Sequence, residues 1–311
     1  MKDSESIKVS APATIGNIGP GFDVLGLAVK GLFDTVEARR TDCGITLAVE
    51  TLREGTELSC DPDKNTAGIA ARETLSLLGI KGGVDLKLRK GLPLGSGLGS
   101  SAASAAAAAF AVNELYGSDL TKEELILPAT QAEAEVSGGF FADNTAPALL
   151  GGATLTRSCL PLDVTRIGSI SDLILIVVTP DIVVLTREAR SMLPQEVSME
   201  DFVYNMANTS LITVAFAKDD YSLFARSLND AVIEPVRATL IKGYDAVKVN
   251  AIKAGADGVA ISGSGPTVFA ITNQRTRARF IEDAMLRSFK VHGVSATGVI
   301  TEVEPEGTKL I

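Results

Sequence analysis

The chain has 311 residues, 46% of them hydrophobic and 22% charged, with a formal net charge of −9. That length accommodates two domains sharing an interface, and the composition is that of a folded globular protein. The acidic balance argues against a nucleic-acid partner and offers no polybasic membrane patch, and no apolar run approaches a membrane span.

Taken in order, residues 1–10 are charged and lack an apolar signal core, so the expected setting is the cytoplasm. Residues 7–10 alternate like a strand and feed residues 11–23. This stretch is too rich in Gly and Pro for regular structure and predicts a long ordered loop or a linker. Asn17 and Asp23 within it read either as turn residues or as substrate contacts. Strands are predicted over 25–28, 34–39 and 45–50, then a helix over 67–78 ended by Gly79, and a strand over 84–89. Helices follow over 100–116 and 121–136. A loop over 137–147 has Asp143 and Asn144 placed to start the next turn or helix, and a strand covers 151–155. The pattern weakens over 158–171, and the domain boundary is placed there, giving 1–165 and 166–311. The second part reads as a buried-type strand over 173–179, a short helix over 186–193, and helices over 199–216, 221–228 and 241–254. A strand–Gly turn–strand unit over 258–271, a helix over 275–289 and a strand over 296–303 complete an α+β pattern. Cys43, Cys60 and Cys159 are scattered without a CxxC pair, so neither a metal knuckle nor a disulfide framework is indicated. His292 is the single histidine, which leaves histidine catalysis almost nothing to work with.

The most informative stretch is Pro93-Leu94-Gly95-Ser96-Gly97-Leu98-Gly99-Ser100-Ser101-Ala102-Ala103. Here a Gly-rich loop runs into an Ala-rich helix. Unpaired N–H groups and the positive end of the helix dipole then face outward, an arrangement that suits a nucleotide phosphate. The alternative is a Gly-rich turn before a buried helix. A Walker A loop is not met, because Gly99 is followed by Ser100 without a Lys. A Rossmann turn is not met either, because the spacing is G-x-G-x-G.

This stretch resembles the ATP loop of the GHMP small-molecule kinases. Ala260-Ile261-Ser262-Gly263-Ser264-Gly265-Pro266 resembles their C-terminal Gly motif, and residues 12–26 resemble their N-terminal motif. Three further segments are similar to the homoserine-phosphorylating branch: Asn17-Ile18-Gly19-Pro20-Gly21-Phe22-Asp23, Asp143-Asn144-Thr145-Ala146-Pro147 and Thr186-Arg187-Glu188-Ala189-Arg190. The resemblance covers nearly the whole chain. It implies a two-domain α+β GHMP kinase fold, with a ribosomal-protein-S5-like N-terminal domain and a ferredoxin-like C-terminal domain. The implied reaction is ATP-dependent phosphorylation of the L-homoserine hydroxyl to O-phospho-L-homoserine in threonine biosynthesis, with Mg²⁺ and a homodimeric enzyme. Ser101 and Glu133 match the family's metal positions, and Asn144 the position facing the reacting hydroxyl, with Asn17 beside it. Thr186 matches a nearby polar position, while Asn65 and Thr66 stand where adenine contacts would fall. Rival readings are another GHMP kinase with a different small alcohol, or a nucleotide or metabolite sensor that keeps the fold.

The chemistry of the acceptor supports the narrower reading. Homoserine is a zwitterion with a distal hydroxyl. Asp23 would take its ammonium, and Arg190 and Arg237 its carboxylate through forked bonds, although each arginine judged singly reads as a surface ion pair. Asn at 144 cannot remove a proton at neutral pH, so the expected mechanism is positioning and charge neutralisation. Asp143 is set aside as a base because neighbouring loop side chains usually diverge. Two departures from the branch stand out. Phe141 occupies a position that commonly carries His, and Gly16 stands where a small Ala is usual, a change expected to be mild.

Overall fold

The computed structural model describes residues 6–51 and 58–311; the first five residues of the charged N-terminal run lie outside them. The spine of the first sheet is the antiparallel pair β1 (Ile7–Gly16) and β2 (Leu25–Thr41). β1 is longer than the sequence suggests. It passes through Pro12, where the register shifts between Pro12 and Ala13, and irregular chain begins only at Asn17. A proline fits at such a bulge because the hydrogen-bond ladder is already interrupted there. β2 likewise joins the two strands predicted over 25–28 and 34–39 into one of 17 residues.

That length lets β2 serve three partners. Its start pairs with β5 (Ala153–Cys159), its end with β4 (Gly83–Lys90), and β1 lies along its other edge. β3 (Ile45–Thr51) runs parallel to β4, and β6 (Leu162–Gly168) forms a hairpin with β5 where the sequence pattern weakens. On this sheet lie α1 (Thr66–Leu77), α2 (Ser100–Tyr116), α3 (Lys122–Ser137) and α4 (Thr145–Leu150). α2 packs against β1, β2 and all three other helices. Its alanines at 102, 103, 105–109 and 111 are fully buried, because small side chains on every face let neighbours approach from all sides.

The second half is a four-stranded antiparallel sheet. Its strands, in spatial order, are β10 (Ala296–Thr301), β7 (Ile174–Pro180), β9 (Val268–Thr272) and β8 (Gly258–Ile261). Its helices are α5 (Thr186–Ser191), α6 (Met199–Lys218), α7 (Tyr221–Ser227), α8 (Glu234–Ala238), α9 (Tyr244–Lys253) and α10 (Arg275–Val291). Side chains alternate along β7. Ile174, Ile176 and Val178 meet Val247, Ile281, Met285 and Phe289, while Leu175 and Val177 join a larger core with Phe216, Phe224, Ile15 and Leu25. Both faces of the sheet are therefore covered, which is why β7 reads as an unbroken apolar run. A short β11 (Lys309–Leu310) pairs with β1 in the first sheet.

Candidate active site

The Gly-rich loop precedes α2. Gly97 and Gly99 have φ of +77° and +60°, in the left-handed region that glycine enters without a Cβ penalty. Space demands glycine as well. A Cβ on Gly97 would lie 2.4 Å from the Ser262 carbonyl oxygen, and one on Gly99 would lie 1.9 Å from Thr14 Oγ1. α2 begins without a side-chain cap, whereas Asn65 caps α1 and Thr121 caps α3. The first N–H groups of α2 are thus left to an external acceptor. Beneath the loop, Asp34 Oδ1 accepts from the N–H groups of Gly91 (2.9 Å) and Leu92 (3.0 Å). Its other oxygen pairs with Lys90, whose ammonium also donates to Ser100 O (2.7 Å) and Ser104 Oγ (2.9 Å). This buried, fully bonded network fixes the root of the loop and the start of the helix.

The turn between β8 and β9 closes over the same loop. Ser262 Oγ donates to Gly97 O (2.6 Å), and Thr267 N to Ser96 O (3.1 Å). Gly263 links onward: its N–H donates to Gly16 O (3.1 Å), and its carbonyl accepts from Asn17 Nδ2 (3.1 Å) and Arg237 Nη1 (2.6 Å). The loop after β1 holds Asn17, Ile18 and Asp23 at φ of 71°, 46° and 58°. Non-glycine residues persist in that region only where surrounding bonds over-determine them, and Asn17 Oδ1 accepting from Asp23 N (3.2 Å) is one such bond.

Asn144 stands at the start of α4. Thr14 Oγ1 donates to its Oδ1 (2.8 Å), and its Nδ2 donates to Asp143 Oδ2 (3.2 Å). The two neighbouring side chains therefore converge rather than diverge, because the chain turns into α4 at that point. The Asp143 carboxyl is pushed up to about 7, chiefly by burial and then by the negative charge of Asp23, with Arg190 pulling it back. At Gly16 a Cβ would lie 2.6 Å from Asp143 Oδ2 and 2.8 Å from Asn144 Nδ2, so an Ala there would require these two side-chain ends to shift.

Beyond Asn144 lies a charged cluster. Arg190 forks onto Asp23 through two bonds of 2.9 and 2.7 Å. Its guanidinium stands 4.3 Å from the ring centroid of Phe141 and 5.2 Å from that of Phe22; Arg237 stands 5.1 Å from Phe22. Both guanidinia thus lie against the Phe22 ring, to which each is attracted. Asp23 holds the Arg190 pKa up, whereas burial, with Arg190 next, pushes that of Arg237 down. The Arg237 Nε is buried and makes no hydrogen bond among the described residues. Thr186 Oγ1 lies 3.4 Å from Ser264 Oγ, which places it at the Gly turn.

On the other side of the loop, Ser101 Oγ donates to Glu133 Oε2 (3.0 Å). Burial pushes the Glu133 carboxyl up to about 7, against the pull of Ser101 and Lys90. Among the described residues no three His, Cys, Asp or Glu side chains converge into a cage. Ser101 and Glu133 offer two hard oxygens, the donor set for an ion that keeps most of its waters. Asn65 is occupied at both ends, capping α1 through Ala67 N (3.0 Å) and donating to Ser59 O (2.9 Å), while Thr66 Oγ1 donates to Ser101 O (3.1 Å). The structure therefore gathers the Gly loop, Ser101, Glu133, Asn17, Asp23, Asn144, Arg190, Arg237 and Thr186 around one bonded framework. It adds Thr14, Phe22 and Lys90, which the sequence reading did not single out, and brings in Asp143, which that reading had set aside.

The description of the GHMP kinases N-terminal domain matches residues 65–152, and that of the GHMP kinases C-terminal domain matches residues 212–291. The chain is 43% identical to the homoserine kinase of Arabidopsis thaliana over 98% of its own length and 85% of that protein's. It is 42% identical to the homoserine kinase of Methanococcus maripaludis over 86% and 88% of the two chains. The crystal structure of homoserine kinase from Cytophaga hutchinsonii superposes with a TM-score of 0.94 at 38% identity, covering 100% of this chain and 99% of that one. A mevalonate kinase from L. major, 18% identical with a TM-score of 0.70 over 97% and 98% of the chains, shares the fold. Similarity that spans both halves of the sequence, at this level of identity, has one consequence: the chain belongs to the GHMP kinase family, in its homoserine kinase branch.

Proposed function

We infer that the protein transfers the γ-phosphoryl group of ATP to the hydroxyl of L-homoserine, giving O-phospho-L-homoserine for threonine biosynthesis. The observation that carries this reading is the charged cluster of Asp23, Arg190 and Arg237, whose charges act on Asp143, the partner of Asn144, and whose Arg237 is bonded to the Ser262–Gly263 turn that holds the phosphate loop. An acid and two guanidinia match an amino acid's ammonium and carboxylate. A substrate without the ammonium would draw Arg190 away from Asp23 and leave that carboxylate without a cation.

The backbone of Gly95 to Ser101 and the uncapped start of α2 would cradle the triphosphate. Asn144, with Asn17 and Thr186 nearby, would orient the acceptor hydroxyl, and Arg190 and Arg237 would hold the carboxylate against Asp23 on the ammonium. Asn65 and Thr66 border the adenine side. Ser101 and Glu133 suit Mg²⁺ through their hard oxygens, and when bound it would neutralise charge on the phosphates. Charge in the transition state builds on the phosphoryl oxygens more than on the nucleophile, so positioning suffices and the hydroxyl proton passes late to phosphate oxygen. Homodimerisation and a cytoplasmic setting belong to the same reading. Exposed Met199, Phe202, Val203 and Met206 on α6 support it as apolar surface that a second copy would cover. No helix among the described residues is long and apolar enough to cross a membrane. The test is coupled ADP formation with homoserine, mevalonate, shikimate and galactose, with the product identified by phosphorus NMR. Turnover confined to homoserine is expected; comparable turnover of another alcohol would defeat the reading.

A further inference from the structure

Thr14 is fully buried on β1 and touches both halves of the reaction site. Its N–H donates to Leu98 O in the phosphate loop (3.0 Å), and its hydroxyl donates to Asn144 Oδ1 (2.8 Å). The packing leaves no slack at this junction. A Cβ on Gly99 would lie 1.9 Å from Thr14 Oγ1 and 3.0 Å from Asn144 Oδ1. From the opposite side, Asp143 Oδ2 accepts from Asn144 Nδ2 (3.2 Å).

A carboxamide has two acceptor lone pairs and two N–H donors. Thr14 takes one lone pair and Asp143 one N–H, which leaves Asn144 one acceptor and one donor for a ligand. Asp143 Oδ2 accepts from one end of the amide, its nitrogen, and the Thr14 hydroxyl donates to the other end, its oxygen. Burial alone does not require this bond. Thr154 and Thr156 in the same sheet have buried hydroxyls without a hydrogen-bond partner among the described residues. A Val at position 14 would therefore suit the core equally well, were there no amide to hold.

We propose that Thr14 is a positioning residue that couples the phosphate loop to Asn144 and so sets the acceptor hydroxyl in line with the transferring phosphoryl group. The proposal rests on the reading of Asn144 as the residue facing that hydroxyl. Thr14 would not touch either substrate. It fixes the one side chain that meets the acceptor in register with the loop that meets the donor.

The test compares Thr14→Val, which keeps the volume and removes the hydroxyl, with Thr14→Ser, which keeps the hydroxyl and opens a methyl-sized gap; Asn144→Ala runs in parallel. Steady-state kinetics, binding of a non-hydrolysable ATP analogue, thermal stability, and ADP formed per phosphohomoserine are measured. T14V should lower kcat about tenfold, the scale of one unmade bond at a buried acceptor together with slight misalignment. Its KM for homoserine and its affinity for the ATP analogue should stay within about twofold, since those contacts are untouched. ADP should exceed phosphohomoserine, as a loosened acceptor yields to water. T14S should restore most of kcat and the coupling despite a lower Tm. A merely structural role predicts the reverse order, with T14S the worse and kcat following Tm, and that result overturns the proposal. So does T14V with normal kcat and one ADP per product while N144A uncouples. N144A with normal kcat and coupling overturns the reading of Asn144 and the proposal with it. Should T14V fail to fold, Thr14→Ala carries the same prediction.

Discussion

Asp143 is the residue whose surroundings most alter its chemistry. Its carboxyl titrates near 7 when folded, against about 4 in an unfolded chain. The folded protein therefore holds this proton more tightly. The stability it contributes is full below pH of about 4 and is lost as pH rises toward 7. Asp143→Asn removes that dependence, so urea midpoints of the variant should improve relative to the parent between pH 4.5 and 7, then run parallel. A constant offset across the range would show that the carboxyl is not perturbed. Asn144 and Glu133 divide differently. If charge neutralisation outweighs base catalysis, Asn144→Ala should lower kcat by about one order of magnitude and Glu133→Ala by two or more. Reversal of that order in steady-state assays would sink the mechanism. Asp23, Asn144 and Arg190 were legible in the sequence because each carries a charge or amide inside a distinctive motif, and Arg237 because a zwitterionic substrate calls for a second cation. Thr14 was not, since a lone Thr in a Pro- and Gly-rich stretch gives no sign of which side chain it meets 130 residues away.

At the scale of elements, α2 was legible from end to end, because Gly99 and Gly117 bracket an alanine run that has no other conformation to prefer. The strands were less so. Residues 11–16 begin a longer Gly- and Pro-rich stretch and look like a loop, but pairing with β2 is a tertiary decision that overrides local signals. The 17-residue β2 was read as two pieces because residues 30–33 are mostly exposed and lose the alternation of the flanks. The contact of the Gly loop with the Ser262 turn gives a prediction at this scale. Gly97→Ala adds a Cβ 2.4 Å from Ser262 O at φ of +77°, so it should cost about 1–3 kcal/mol in stability and raise the KM for ATP more than that for homoserine. Equal rises for the two substrates would indicate a general loosening instead.

For the molecule as a whole, the larger hydrophobic core joins the first sheet to one face of the second, through Leu175, Val177, Phe269 and Ile271 beside Ile15, Leu25 and Leu27. A core shared across both halves should melt as one. Calorimetry is expected to give a single transition with matching calorimetric and van't Hoff enthalpies, and two resolved peaks would contradict a shared core. The change of pattern on which the sequence reading divided the chain into two halves falls over 158–171, where the structure has the β5–β6 hairpin of the first sheet. Their shared core was not legible in the sequence, because an unbroken apolar run such as β7 does not say what lies on either side.

The Asp23–Arg190 fork crosses the same divide, one partner following β1 and the other on α5. If homoserine binds as proposed, its ammonium claims Asp23 and its carboxylate claims Arg190, so binding is a partner swap in which total charge is conserved. A ligand with a single charge cannot complete the swap: it must open the fork and strand one partner. The molecule would then reject 3-aminopropanol and 4-hydroxybutyrate more sharply than the loss of one contact implies. Accepting homoserine would unfasten a clasp between the halves at the moment the substrate itself begins to bridge them.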